Sequence, residues 1–170
     1  MFAHLMPVVV AAFPILVVVA AVNDFLWMRI SNALSAALFV AGLAALALAA
    51  PGWETFGAHL GTAALVLVVG FAIFATGQMA GGDVKFATAV ALWLGWGDMF
   101  EYVLLFSLWG GGLTLLTLAA DHWLSPIPAL KVGYLGGFGG HRTVPYGIAM
   151  TAAALQIFPH TAWFAVFLAG

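Results

Sequence analysis

The chain has 170 residues, 65% of them hydrophobic and 6% charged, with no cysteine and a formal net charge of −2. A soluble domain is about a quarter charged. Four basic and six acidic side chains cannot clothe a globule of this size, so a water-soluble monomer is excluded. So few basic groups also exclude a nucleic-acid-binding face, and the missing cysteines exclude disulfides, thiolate nucleophiles and Cys-ligated metal centres.

What remains is an all-α integral membrane protein. A helix needs about 20 mostly apolar residues to cross a bilayer core, and six apolar runs are legible, at 5–23, 33–50, 57–76, 84–97, 100–120 and 146–168. They predict a six-transmembrane-helix bundle in one polytopic membrane domain, 1–170. The first run has no Lys or Arg before it between Met1 and Pro7. It therefore reads as a retained span and not a cleaved signal, which would carry a basic start. Asn23-Asp24 and Pro51-Gly52 end the first two runs, and Gly77 to Asp83 separates the third from the fourth. The fourth run is short, and runs of that length are also read as re-entrant. Charge arbitrates. With six spans, Arg29, Lys85, Lys131 and Arg142 all fall on one face, while Glu54, Asp98 and Glu101 fall on the other. The positive-inside rule then puts the basic face in the cytoplasm and both termini on the extracytoplasmic side. The last connection, 121–145, holds five glycines between 133 and 140. Without a preceding strand or a following Lys-Ser/Thr it reads as a loop and not a phosphate cradle.

The cytoplasmic acids are then Asp24, Asp83 and Asp121. Ionisable groups in a membrane are costly and usually mark function. Asp24 closes the first run and Asp83 opens the fourth, so a bundle can bring them together on one side. Each also has a plainer reading: Asp83 as the cap of its own helix, Asp24 as a solvated loop residue. Gly81-Gly82 favours the functional reading, because two missing side chains let backbone approach a neighbour or a substrate strand. Lys85 stands where it can bias the ionisation of Asp83. Two carboxylates held close share a proton and titrate as a pair; one draws a proton from water while the other donates to a scissile carbonyl. Other hydrolytic signatures are missing. There is no His-Glu-x-x-His and no Gly-x-Ser-x-Gly. His4, His59, His122, His141 and His160 form no i, i+4 pair, so no metal and no cofactor is expected.

Three motifs stand in order along the chain. Met79-Ala80-Gly81-Gly82-Asp83-Val84-Lys85 resembles the Gly-x-Gly-Asp motif of the type IV prepilin peptidases. Asp24-Phe25-Leu26-Trp27-Met28-Arg29-Ile30-Ser31-Asn32 resembles that family's first catalytic stretch, and Val144-Pro145-Tyr146-Gly147 resembles the opening of its last span. The resemblance is to the short form that lacks a cysteine-rich domain and serves tight-adherence (Flp) pili. It implies an aspartic leader peptidase of the bacterial inner membrane that cuts the basic leader from prepilin at the cytoplasmic face. By position, Asp24 and Asp83 would be the catalytic pair, with Gly81, Gly82, Lys85, Arg29 and Asn32 in supporting motif positions. The chain departs from the family pattern at Ala80, where glycine is usual, and at Ser31, where proline is usual; Ser31 is expected to cap the second helix instead. With no paired cysteines, N-methylation of the product is not expected. The implied partners are a prepilin-like substrate helix and the lipid bilayer. Gly110, Gly111 and Gly112 offer a close-packing surface, either for that helix or within the bundle. Two other classes stay open: a proton-coupled transporter or channel using the same aspartates, and a non-catalytic membrane subunit of a pilus machine.

Overall fold

In the computed structural model, α1 (Leu5–Trp27) buries Val10, Phe13, Val17, Ala20 and Asp24. Their spacing of three and four residues puts them on one side of a 3.6-residue helix, so Asp24 is the last member of an otherwise apolar buried stripe. The description covers residues 5–124 and 145–168, apart from the side chains of residues 118, 120–124 and 167. The carboxyl of Asp121, Lys131, Arg142, His4, His122, His141, Val144 and the glycine-rich stretch 133–140 lie outside it. All regular structure among the described residues is helical.

At the end of α1, Met28 takes a left-handed φ of 50° and its N–H donates to Asp24 O at 2.8 Å. The chain turns there and α2 (Asn32–Ala49) starts with Ser31 as its cap, the serine oxygen accepting from Leu34 N–H at 3.2 Å. The expected substitution of a serine cap for proline is therefore present. At the other end of α2, Ala50 sits in the left-handed region at φ 44° and its N–H reaches Leu46 O. A Cβ in this conformation costs roughly 1–2 kcal/mol. Ala50→Gly is expected to raise the Tm of the detergent-solubilised protein by roughly 2–4 °C, as differential scanning fluorimetry would register.

α3 (Trp53–Ala75) buries only Thr62, Ala63 and Gly70. These small groups let it lie close against the next helix, where Val84 Cγ1 stands 2.8 Å from the point a Cβ on Gly70 would occupy. The remaining faces of α3, including Leu65, Val68, Phe71 and Ile73, are exposed apolar surface. α4 (Gly81–Leu124) is a 44-residue run broken at Gly95, whose φ of 67° and ψ of −170° belong to a region essentially closed to residues with a Cβ. The chain reverses there: Phe106 and Thr114 of the second arm (96–124) return to the cleft lined by Gly81 and Asp83 of the first (81–94). The break leaves carbonyls of the first arm without helical partners. His59 Nδ1–H donates to Leu92 O at 2.8 Å, and Trp163 Nε1–H donates to Trp93 O at 2.7 Å.

Every residue from Phe86 to Leu94 is buried, so the short fourth run is the central helix of the bundle, apolar all round because it is enclosed all round. α5 (Tyr146–Ile157) packs between α1 and the second arm of α4, and Thr151 Oγ1 donates to Val17 O of α1. The run read as one segment over 146–168 is interrupted. A 3-10 turn at Phe158–His160, where Pro159 cannot donate to a helical ladder, separates α5 from the short α6 (Ala162–Leu168). Among the described residues, four helices are long and apolar enough to cross a bilayer: Met6–Trp27, Asn32–Ala49, Trp53–Ala75 and Gly81–Thr117, the last counted through the break. With their wide exposed apolar faces, they make this a membrane protein.

Candidate active site

One end of the bundle gathers the turn after α1, the turn before α4 and the start of α5 around an open cleft of about 1380 Å³. Each element brings a residue because of where it ends. Asp24 arrives in the last turn of α1, carried inward by the buried stripe, and is 5% exposed. Asp83 arrives in the first turn of α4 and is half-buried. Both line the cleft, and the two carboxylates lie within electrostatic reach of each other. They share one end of the bundle.

Asp24 Oδ2 accepts a hydrogen bond from Gly147 N–H at 2.7 Å. The N–H of Asp83 donates to Ala80 O at 3.1 Å, which closes the turn that starts α4. The two glycines before Asp83 differ in role. A Cβ on Gly82 would stand 3.2 Å from Ile30 O, so the missing side chain lets α4 approach the turn after α1. A Cβ on Gly81 would make only ordinary contact with the ring of Phe74, at 3.5 Å. Ala80 sits in the cleft wall without any such demand.

Lys85, Arg29 and Asn32 also line this cleft. Lys85 turns to Asn32, its Nζ donating to Asn32 Oδ1 at 2.8 Å, and no ion pair links it to Asp83 among the described residues. It therefore ties the turn after α1 to the first arm of α4. Arg29 is exposed at the rim. Of the three adjacent glycines, Gly110 packs inside the bundle, its Cβ position 3.4 Å from Tyr146, while the corresponding positions of Gly111 and Gly112 meet nothing.

Two residues of the site have roles that the sequence does not show. Gly147 stands in a motif, but its contact with Asp24 joins positions 123 apart. Tyr102 is 1% exposed, and its hydroxyl has no hydrogen-bond partner among the described residues. It stacks on Phe106, which meets Tyr146 edge-on, and both of those rings line the cleft. A tyrosine in an apolar run is unremarkable on a helix bound for the bilayer, so only the packing reveals that it lies beneath the site.

At the far end of the bundle, Glu101, His59 and His160 lie within electrostatic reach of Asp98, and Glu54 opens α3 there. Both described basic residues, Arg29 and Lys85, are thus at the cleft end, and Glu54, Asp98 and Glu101 are at the other. Compared with known proteins, a family model described as the type IV leader peptidase family matches residues 11–115, more than half of the chain and a span that includes both aspartates. No curated protein and no solved structure matches.

Proposed function

Since this chain belongs to the type IV leader peptidase family, we propose that it is an aspartic endopeptidase that removes the basic leader of prepilin-like precursors at the cytoplasmic face of the bacterial inner membrane. The observation that carries this reading is the meeting of Asp24 and Asp83, from the end of one helix and the start of another, on one open cleft. Two carboxylates within electrostatic reach resist ionising together, and the pair then carries one proton between its members. The ionised member takes a proton from a water, whose oxygen attacks the scissile carbonyl carbon. The protonated member donates to the carbonyl oxygen, and the tetrahedral adduct collapses with a proton passing to the departing amine. No cofactor is needed for these steps.

The cleft supports a polypeptide substrate. Its volume of about 1380 Å³ exceeds the roughly 300–1,000 Å³ of small-molecule pockets. Polar groups sit beside apolar walls such as Ile73 and Phe106, which suits a segment where a polar leader meets a membrane helix. Charge supports the orientation. Arg29 and Lys85 lie at the cleft end and three acids at the other, so the positive-inside rule assigns the cleft to the cytoplasm, where a basic leader also resides. The reading keeps the six-span topology with both termini extracytoplasmic.

The test is direct. The purified chain in liposomes, given a precursor with a short basic leader ahead of an apolar helix, is expected to release the leader by cutting one peptide bond, visible by mass spectrometry. An intact precursor under conditions where the chain is folded would remove the proposal. Within the same assay, Lys85→Met is expected to slow cleavage only several-fold and to shift stability by no more than about 0.5 kcal/mol, because its bond to Asn32 is exposed and exposed polar pairs are weak.

A further inference from the structure

α5 begins without a cap of its own. Pro145 precedes it, has no side-chain oxygen to offer, and makes no side-chain capping hydrogen bond. The first N–H groups of a helix have no intrahelical acceptor. That of Gly147 finds one on another helix, Asp24 Oδ2 at 2.7 Å. Asp24 therefore caps α5 from α1, doing across the bundle what an N-terminal Ser or Asp does locally. The aligned peptide dipoles of α5 reinforce the attraction to its carboxylate.

The fit leaves no slack. A Cβ at residue 147 would stand 2.8 Å from Asp24 Oδ2, 2.9 Å from Asp24 Cβ and 2.9 Å from Ile30 Cδ1. Asp24 Cβ is the root of the side chain, so relief of that contact moves the whole carboxyl group or the helix that bears it. Asp83 is held differently, by the local turn through Ala80 that starts α4. A change at the start of α5 thus reaches one aspartate of the pair and leaves the other in place.

We propose that Gly147 is a positioning residue for Asp24: its N–H holds Oδ2 and its missing side chain leaves the room, so that α5 sets the angle at which Oδ1 faces the reacting groups. The inference rests on the peptidase reading and deepens it. Displacing a reacting group by about 1 Å costs on the order of 100-fold in rate. In the liposome assay, Gly147→Ala is expected to lower kcat by about 100-fold with KM within about threefold. Gly57→Ala, whose Cβ meets nothing, is expected to match the parent. A second measurement needs no activity: Gly147→Ala is expected to lower Tm clearly in the parent and far less in an Asp24→Gly background, where both crowding atoms of Asp24 are gone and only the movable Cδ1 tip of Ile30 remains. A parental kcat, a loss carried by KM alone, or equal Tm losses in both backgrounds would each overturn the positioning role. If the parent cleaves nothing, the peptidase reading falls, and the Tm comparison still decides whether residue 147 sets Asp24.

Discussion

Asp83→Asn is expected to abolish leader cleavage, by at least about 10³-fold, while the protein still inserts and folds. General acid–base catalysis alone contributes about 10²–10⁴-fold, and an amide neither takes a proton from water nor returns one. Asp83 is half-buried and, among the described residues, forms no ion pair, so the isosteric change removes one of two repelling carboxylates and costs the fold little. Asp24→Asn is expected to be equally inactive, since its oxygen can still accept from Gly147 N–H but the amide can neither take nor return a proton. Because the two act as a unit, the double variant is expected to be no slower than either single one. Single-turnover cleavage of a purified precursor, with circular dichroism on the same samples, measures all three. Near-parental cleavage by either single variant is the outcome that ends the dyad.

The largest loss of stability is expected from Trp93→Ala. Trp93 is 1% exposed at the end of the central helix. Its ring lies 5.1 Å from that of Phe13 and 5.7 Å from that of Trp163. Its Nε1–H donates to Leu38 O at 2.9 Å, and its own carbonyl accepts from Trp163 Nε1–H. One side chain thus joins α1, α2, α4 and α6. Gly42 of α2 makes the approach possible, because a Cβ there would stand 2.9 Å from the indole nitrogen. Truncating a buried tryptophan costs about 3–5 kcal/mol. In a bilayer the apolar transfer component is small, since lipid is as apolar as the core, so the cavity and the lost contacts dominate and the low end, about 3 kcal/mol, is expected. Trp93→Phe keeps most of the ring and is expected to cost about 1 kcal/mol, the typical worth of one hydrogen bond. Reversible unfolding in mixed micelles would measure both; a Trp93→Ala value below about 1 kcal/mol contradicts the packing described.

How much of this was open to reading depends on the kind of residue. Punctuation was legible. Ser31 caps α2, the turn at Pro51 separates α2 from α3, and Gly81 starts α4, because caps and turns are local and carry their chemistry in one or two side chains. The break between the fourth and fifth runs was legible to within two residues, expected at Gly97-Asp98 and found at Gly95. The interruption at Phe158–His160 is marked only by Pro159 and the polar residues Gln156, His160 and Thr161, which are diluted in an otherwise uniformly apolar run. The same uniformity hid the buried faces. A soluble helix shows its core side by contrast with polar residues; α1 has no polar residue before Asn23, so nothing marks Phe13 as interior and Ile15 as exposed.

Composition and motif order were enough to announce a helical membrane protein with two acids in separate helices, for those properties are carried by single residues and their sequence neighbours. That Asp24 rests on a main-chain donor 123 residues away, that Lys85 faces Asn32, and that the shortest apolar run became the enclosed centre of the bundle are consequences of packing. Each depends on how deep one helix sits against another, and in a chain so evenly apolar that depth is set by the fit of small residues such as Gly42, Gly70 and Gly82 against particular neighbours.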